Sequence, residues 1–298
     1  MSFIKNGLMI YDLFKRHDLY YARNPYLLLI STFMKCKYRI YESHNFPRGL
    51  RKLVEYMLIK LKLVDDVVFI SNSLRIAYDK AKITSKRVGV IVAHDGAVKK
   101  ESTPPEKESS PGDVIKFGYA GHLFPGKGYE IICDLAPLFP YYEFHIVGGN
   151  QADLTRIRSN GHPSNIIFHG HVVHAAVYCY LLKFDILLLP PLPNVSGDKG
   201  GDIGKYMSPL KLFEYMSARR PIICTDLEVF REVLEDQVHC LFADAYSISD
   251  WKSKCERLIA DSKLRSQLAK NAFHLFNNSF TWESRANRVL SNYMQRAF

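Results

Sequence analysis

The chain has 298 residues, a hydrophobic fraction of 47%, a charged fraction of 23% and a formal net charge of +10 at pH 7. These values are typical of a globular protein. They exclude an intrinsically disordered chain, which has too few apolar residues to form a core, and collagen, which needs glycine at every third position. At roughly 100–200 residues per domain, the length predicts two domains.

Strands and helices are predicted to alternate from the first third of the chain onward. Short apolar runs at 38–43, 66–71 and 88–96 indicate buried strands. Between the first two runs, apolar residues recur at helical spacing from Leu50 to Leu61 and predict an amphipathic helix.

A polar segment at 99–113 contains three prolines and follows neither the helical nor the strand period. It is therefore predicted to be a flexible surface linker. It separates an N-terminal domain at 1–98 from a C-terminal domain at 114–276, which is followed by a C-terminal helix at 277–298 that we expect to pack back towards the N-terminal domain.

The alternation continues regularly after the linker. The predicted strands are 114–121, 143–149, 165–170, 185–191 and 221–225, and the predicted helices are 129–139, 174–183 and 208–218. Continuous apolar strands separated by helices predict an α/β fold with a doubly wound parallel sheet. Ligands bind such sheets at the carboxyl ends of the strands, so the loops that leave the strands are the candidate sites.

The positive charge is concentrated in the first third of the chain. Residues 1–100 contain 19 Lys and Arg against 8 Asp and Glu, a net charge of +11, whereas the remainder has a net charge of −1. A basic surface of this kind fits phosphates on nucleic acid, on anionic lipid or on a small substrate. Nucleic acid is the least favoured of these partners, because the sequence has no helix-turn-helix, RNP or zinc-finger pattern.

The sequence predicts a cytoplasmic protein that associates peripherally with the inner face of the membrane. Charges interrupt the first residues too often for a secretory signal, and no apolar run reaches the ~18 residues of a membrane helix. The six cysteines contain no CxxC pair, so neither a zinc ribbon nor a dithiol redox motif is expected.

The first candidate site is the glycine-rich loop at 121–130, which leaves a predicted strand and leads into a helix. Lys127 stands at the start of that helix, where free N–H groups and the helix dipole favour an anion. The alternative is an ordinary turn between strand and helix with a solvated lysine.

The second candidate site begins at Ser208 and Pro209, which predict a helix start with a hydroxyl N-cap and proline at the first helical position. Lys211 and Glu214 are three residues apart and lie on one face of that helix. A carboxylate there is suited to accept two vicinal hydroxyls, such as those of a ribose. The two loops together predict a pyrophosphate-and-ribose site, and the alternative for the second is a surface ion pair.

Three histidines at 169, 171 and 174 are close enough in sequence to suggest a metal site. Carboxylate or cysteine partners at suitable spacing are missing, however, so we predict no metal.

The order of four motifs resembles the donor domain of retaining glycosyltransferases of family 4. These motifs are G-x-L-x-x-x-K-G at 121–128, NIIFHG at 165–170, DILLLPP at 185–191 and SPLKLFEYMSARRPII at 208–223. In the N-terminal part, LYYARNP, YESHN, VVFISNS and AHDG resemble the second half of the acceptor domain of that family. The resemblance implies the GT-B fold, which consists of two Rossmann-like domains facing a cleft.

The resemblance also implies roles for individual residues. Lys127 would bind the donor diphosphate, Glu214 would hold the ribose, and His44 would lie near the donor sugar and the reacting centre. His122 occupies the position of a diphosphate-binding arginine. The helix-start residues that would receive or adjoin the diphosphate are Ser208, Pro209, Leu210, Lys211 and Leu212, and those that would meet the nucleobase are Val172 and Val173.

The implied function is transfer of a sugar, with retention, from a nucleotide-diphosphate sugar to a carbohydrate or lipid-linked acceptor. No cofactor or metal is expected, and a role in cell-surface polysaccharide synthesis is implied. Tyr206 stands where the family has a first carboxylate, and Arg219 where it has a glycine.

The family's acceptor domain opens with units that have no counterpart here, so the first domain is expected to be incomplete. The alternative is therefore a truncated, non-catalytic nucleotide-binding subunit that depends on a partner chain supplying the missing half.

Overall fold

The computed structural model describes residues 17–107, 113–159, 161–193 and 204–297. These residues form two compact units. The first unit contains the described chain up to His94, the segment Tyr206–Ser208 and the residues from Arg285 onward. The second unit contains the described parts of Asp95–Lys205 and Pro209–Ser284.

The first unit is built on a four-stranded parallel sheet with the order β1-β2-β3-β4. Its strands are β1 (His17–Ala22), β2 (Cys36–Ser43), β3 (Asp66–Phe69) and β4 (Gly89–Val92), and its helices are α1 (Pro25–Ser31), α2 (Gly49–Lys60) and α3 (Asn72–Lys80).

Side-chain caps fix where two helices of the first unit begin. The Asn24 side chain accepts hydrogen bonds from the backbone N–H groups of Tyr26 at 3.0 Å and Leu27 at 3.3 Å, and Pro25 follows at the first helical position of α1. The Ser71 hydroxyl accepts a bond from the Leu74 N–H at the start of α3. Both caps satisfy N–H groups that have no partner inside the helix.

Both faces of the first sheet are covered. The three helices pack one face with a core that includes Leu28, Leu58 and Leu74. The other face, which includes Ile40 and Val68, is covered by residues of the last helix of the chain. This pattern explains why most residues of β2 and all residues of β3 are buried or half-buried on both faces of the sheet.

The second unit is built on a six-stranded parallel sheet with the order β10-β9-β8-β5-β6-β7. Its strands are β5 (Lys116–Ala120), β6 (Glu143–Val147), β7 (Ile166–Gly170), β8 (Ile186–Leu189), β9 (Ile222–Thr225) and β10 (Leu241–Ala243). The helices that follow in the chain are α4 (Tyr129–Leu135), α5 (Gln151–Ser159), α6 (His174–Leu181), α7 (Leu210–Ser217), α8 (Glu228–Arg231), α9 (Ile248–Ala260), α10 (Ser262–Ser279) and α11 (Trp282–Ala297).

The strand order of the second sheet defines a topological switch point. The chain builds outward from β5 through β6 and β7 on one side, and through β8, β9 and β10 on the other. The carboxyl ends of β5 and β8 therefore border the crevice in which such folds bind ligands. The predicted class, α/β with two Rossmann-like parallel-sheet units, is confirmed.

Two details of the second unit differ from the sequence prediction. The helix predicted at 129–139 ends at Leu135 and continues as a 3₁₀ turn, Ala136–Leu138, because Pro137 cannot donate an α-helical hydrogen bond. The described part of the predicted linker is held by hydrogen bonds to its own unit. The Arg219 guanidinium donates to the Pro104 carbonyl at 3.3 Å, and the Arg220 guanidinium donates to the Pro105 carbonyl at 3.0 Å.

Among the described residues, no helix combines the length and the apolar character needed to cross a membrane.

Candidate functional site

Glycine backbones join the carboxyl ends of three neighbouring strands in the second unit. The Gly121 N–H donates to the Val147 carbonyl at 2.8 Å, and the Gly148 N–H donates to the Gly170 carbonyl at 2.8 Å. Gly148 has a φ of 128°, and a Cβ at this position would lie 2.0 Å from the Gly121 carbonyl oxygen. Only glycine permits so close an approach of the two loops.

The loop that follows β5 is held against the chain that leaves β8. Gly128, the N-cap of α4, has a φ of 92°, and a Cβ there would lie 1.8 Å from the Pro190 carbonyl oxygen. The Leu192 N–H donates to the Gly126 carbonyl at 3.0 Å. These contacts fix the loop that carries Lys127 beside the switch point.

The buried side chain of Tyr119 holds this loop through its hydroxyl group. The Tyr119 hydroxyl lies 2.8 Å from the His122 carbonyl oxygen and 3.3 Å from the Lys127 carbonyl oxygen, and it accepts a hydrogen bond from the Lys211 ammonium at 3.1 Å. Sequence reasoning missed Tyr119. Its position two residues before Gly121 on the strand was a usable signal, because alternate strand residues share a face.

Lys211 points its ammonium at the end of β5. Its Nζ lies 4.5 Å from the centre of the Tyr119 ring, and a Cβ on Gly121 would lie 1.7 Å from the same nitrogen. Burial and, to a smaller extent, the positive charge of Lys127 lower the pKa of Lys211 to about 7, although the Glu214 carboxylate partly opposes both effects. The structure therefore brings Lys211, Lys127 and Glu214 into electrostatic contact.

The helix that carries Lys211 begins later than predicted, which corrects the assignment of its cap. Pro209 is the N-cap with φ −80° and ψ 104°, and no side chain caps the helix. Its extended backbone makes Leu210 the first helical residue, and the Pro209 carbonyl accepts the first bond from the Leu212 N–H at 3.0 Å. Ser208 is therefore not the N-cap, and it belongs to the first unit.

A second tyrosine fixes α7 on the sheet. The Tyr215 hydroxyl accepts a hydrogen bond from the Ala120 N–H at 2.7 Å, and the Tyr215 side chain is fully buried. This hydrogen bond holds α7 at the end of β5. Lys211 and Glu214 precede Tyr215 on the same helix and are therefore held there too.

Glu214 lines a cavity of about 300 Å³ in the second unit, together with Lys100, His174, Tyr178 and Trp282 among others. The Glu214 carboxylate lies 3.5 Å from the His174 Nε2 atom. Burial raises the pKa of Glu214, while the positive charges of His174, Lys211 and Lys100 counteract this. Sequence reasoning did not connect Lys100 or His174 with this site, since both are distant in sequence from Glu214.

The other predicted donor residues lie near strand ends of the same sheet. His122 is exposed and its ring stacks on Phe124 with centroids 5.2 Å apart. Val172 and Val173 follow the end of β7, and Val173 is the N-cap of α6. The roles of all these residues in donor binding stay predictions.

In the first unit, His44 follows the carboxyl end of β2 and hydrogen-bonds to the carboxylate of Glu42. Glu42 is completely buried and also accepts a bond from the Arg285 guanidinium at 2.9 Å, while Arg23 lies 3.0 Å away. Burial alone would raise the pKa of Glu42, but the hydrogen bonds from His44 and Arg285 lower it. Glu42 was missed, although a spacing of two on a strand places it on the face of His44.

The histidine pattern does not assemble into a metal site. His169 Nε2 lies 2.9 Å from His145 Nδ1, and His145 Nε2 lies 3.0 Å from the Glu143 carboxylate. In the part of the chain that the structure describes, no three His, Cys, Asp or Glu side chains are placed to hold a metal ion.

Comparison with known proteins finds a family match within the second unit. Residues 115–261 match the family Glycosyl transferases group 1. A phosphatidyl-myo-inositol mannosyltransferase of Mycobacterium leprae is 28% identical over 116 residues, which are 38% of this chain. The matched stretch spans only 28% of the mannosyltransferase.

Solved structures resemble nearly the whole chain. The Anabaena protein Alr3699/HepE, crystallised with UDP, has a TM-score of 0.69 and 15% identity over 93% of this chain and 79% of that one. The sucrose-phosphate synthase of Thermosynechococcus elongatus has a TM-score of 0.71 and 16% identity over 94% of this chain and 73% of that one. At such identities the likeness establishes the fold, which is GT-B.

Proposed function

We propose that this protein is a glycosyltransferase, because residues 115–261 match the family Glycosyl transferases group 1 and the chain has the GT-B fold. It transfers a sugar from a nucleotide-diphosphate sugar to a carbohydrate or lipid-linked acceptor. The observation that carries the proposal is the convergence of the Lys127 loop, Lys211 and Glu214 at the switch point of the second sheet.

Positively charged groups mark the part of the site that would bind the diphosphate. In the reaction, the bond between the anomeric carbon and the diphosphate breaks, the diphosphate leaves with the bonding electrons, and the acceptor hydroxyl forms the new bond and releases its proton. Lys127, Lys211 and the free N–H groups at the start of α7 supply positive potential for the departing diphosphate. Preorganised charge of this kind is usually the largest catalytic contribution.

The cavity beside Glu214 is the part of the site that would bind the nucleoside. A partly buried carboxylate in a cavity of about 300 Å³ can accept hydrogen bonds from two ribose hydroxyls. The crystal structure of Alr3699/HepE contains UDP, which supports a nucleoside diphosphate as the ligand of this chain too.

Retention of configuration, catalysis without a metal and a role in cell-surface polysaccharide synthesis are parts of the proposal that rest on the family 4 resemblance. The same resemblance supports His44 as the residue near the reacting centre, with Glu42 orienting its imidazole. Nuclear magnetic resonance of the product gives the anomeric configuration, and transfer in the presence of a chelator tests the need for a metal.

The direct test is transfer or hydrolysis with a panel of nucleotide sugars. Lys127→Ala and Glu214→Ala should each lower kcat/KM by about 10- to 100-fold, because each removes a charge-assisted bond to the donor. Lys263→Ala and Glu256→Ala are matched controls, since both residues are exposed on other helices of the same unit. Their activity should equal that of the parent protein.

Two outcomes count against the proposal. If Lys127→Ala and Glu214→Ala transfer sugar as well as the parent protein, the donor site is assigned wrongly. If calorimetry detects nucleotide binding and no sugar in the panel is transferred, the alternative of a partner-dependent nucleotide-binding subunit is favoured.

A further inference from the structure

Two histidines join neighbouring strands at one edge of the second sheet. His145 on β6 is 8% exposed, and its Nδ1 atom lies 2.9 Å from the Nε2 atom of His169 on β7. The His145 ring also stacks on Phe184 with centroids 5.2 Å apart, and the Tyr180 ring packs edge-on against His169. The proposed sugar transfer assigns no role to this pair.

An irregularity in the pairing of β6 with β7 gives His169 its position. The register shifts between Ile146 and Val147, so that Val147 lies opposite Gly170 and His169 is the extra residue of a β-bulge. Bulges commonly re-aim a side chain. The next residue, Gly170, accepts the Gly148 N–H at 2.8 Å, so the bulge adjoins the glycine contacts at the carboxyl end of the sheet.

The charged groups that face the pair come from several elements packed around it. They are Glu143 on β6, Lys116 on β5, Lys107 before β5 and Lys183 after α6. The Glu143 carboxylate lies 3.0 Å from the His145 Nε2 atom and 3.6 Å from the Lys116 ammonium. Lys107 pairs with Asp185 at 3.0 Å. These described surroundings thus hold three lysines against two carboxylates, which disfavours any further positive charge.

The hydrogen bonds determine where the protons of the neutral pair lie. A carboxylate only accepts hydrogen bonds, so the His145 Nε2 atom that faces Glu143 carries a hydrogen. The Nδ1 atom of neutral His145 is then an acceptor, and His169 donates to it from Nε2. When both rings are protonated, each of the two facing nitrogens carries a hydrogen and neither can accept. Full protonation therefore breaks the hydrogen bond between the two side chains.

We propose that this pair, His145 with His169, is a pH-sensitive switch that holds β7 on the sheet at neutral pH and releases it in acid. β7 is the last strand of the sheet, and among the described residues β6 is its paired neighbour. Release of β7 also loosens the contact between Gly170 and Gly148, which leads on to the loop after β5. The inference goes beyond sugar transfer and does not depend on it.

The direction of the pH effect follows from the burial of both rings. Burial lowers the pKa of His145 and of His169 below the ordinary value of 6.5, and the nearby lysines lower both further. The Glu143 carboxylate partly opposes this for His145. The unfolded chain therefore binds protons more readily than the folded unit. Stability is complete above about pH 6.5 and is lost as the pH falls below that value.

Urea unfolding followed by tryptophan fluorescence tests the switch in the full chain, because both tryptophans, Trp251 and Trp282, lie in the second unit. The unfolding constant of the parent protein should rise between pH 7.5 and pH 5.5. Each imidazole that is protonated only in the unfolded chain contributes up to about tenfold over this range. His145→Gln/His169→Gln should remove most of the rise.

Ile167→Gln is the matched control, because it places the same amide on β7 and leaves both histidines unchanged. Ile167 is 37% exposed, and the rise between the two pH values should equal that of the parent protein. His145→Gln and His169→Gln should each remove clearly more than half of the rise, since one neutral partner relieves the repulsion. Two independent contributions of half each would contradict a shared hydrogen bond.

Hydrogen exchange of the full chain, corrected for the intrinsic effect of pH, locates the change. The amides of β7 should lose protection at pH 5.5 relative to those of β8 in the middle of the sheet. In His145→Gln/His169→Gln, the protection of β7 should be nearly the same at both pH values.

The proposal is overturned if the unfolding constant of the parent protein rises no more than that of the double variant. It is also overturned if acid lowers the protection of β7 and β8 equally. No sugar donor is present in these measurements, so their failure leaves the transferase proposal standing.

Discussion

Lys211 holds its ammonium where burial and the charge of Lys127 both disfavour protonation, and its pKa is about 7. An anion bound beside it would favour the charged form and raise that pKa. The sequence predicted that Lys211 and Glu214 share a helix face. It could not predict the lowered pKa, which depends on burial in the fold and on Lys127, a residue that is distant in sequence.

We therefore expect the affinity for UDP to fall as pH rises through about 7, because Lys211 loses its charge over this range. Binding above that pH should take up a proton, which calorimetry in buffers of different ionisation enthalpy measures directly. Lys211→Arg is the reference protein. It retains a permanent charge at this position, and its pH dependence should be clearly shallower than that of the parent protein.

An equal pH dependence in the parent protein and in Lys211→Arg would show that Lys211 does not cause the effect. Lys211→Met should bind UDP weakly at every pH, because it has no charge to lose.

At the scale of elements, the loop between β5 and α4 depends on close backbone contacts. Gly121, Gly128 and Gly148 lie where a side chain would meet Lys211, the Pro190 carbonyl or the Gly121 carbonyl. The glycine-rich loop was recognisable in the sequence. The partner of each glycine was not, because the contact joins residues from different strand ends.

Gly128→Ala should lower the free energy of unfolding by about 3 kcal/mol, since it adds a clash with backbone to the strain of a left-handed residue. It should also weaken nucleotide binding, because the loop must move away from β8. Gly161→Ala is the control: Gly161 has a φ of 76° and open space around it, so only about 1–2 kcal/mol is expected.

Urea unfolding of both variants measures the difference. If Gly161→Ala is as destabilising as Gly128→Ala, the contact with Pro190 contributes nothing.

At the scale of the whole molecule, the last helix completes the core of the first unit. Arg285 donates to the Glu42 carboxylate at 2.9 Å and to the His94 carbonyl at 3.0 Å, and Asn292 donates to the Asp66 carboxylate at 3.1 Å. Val289 is buried against the sheet. Two hydrogen bonds between residues more than two hundred positions apart, Arg285 to Glu42 and Asn292 to Asp66, thus tie the last helix to the sheet that leads to His44.

A chain that ends at Ser284 should lose hydrogen-exchange protection in β2, β3 and β4, because Glu42 and the apolar face of this sheet lose their cover. The strands of the second unit should remain protected. A chain that ends at Arg296 is the control and should exchange like the full chain. Unchanged protection in the shorter chain would contradict the role given to α11.

The sequence by itself determined the alternation of strands and helices, the parallel sheets, the position of Lys127 on a strand-end loop and that of Lys211 and Glu214 on one helix face. These features follow from local periodicity and from turn residues, which act over short stretches of chain. The tertiary structure decided what surrounds them. Tyr119 beneath Lys211, His174 beside Glu214, and Arg285 bound to Glu42 are contacts between residues far apart in sequence.

The same distinction applies to the composition and charge of the chain. The net charge of +11 in residues 1–100 was visible in the sequence, and helical spacing predicted α2. Spacing cannot tell which apolar residues of a helix become buried, because burial depends on what packs against each face. Only the folded unit exposes Phe33 and Leu53 among lysines, while the carboxylates of Glu42 and Glu55 lie inside.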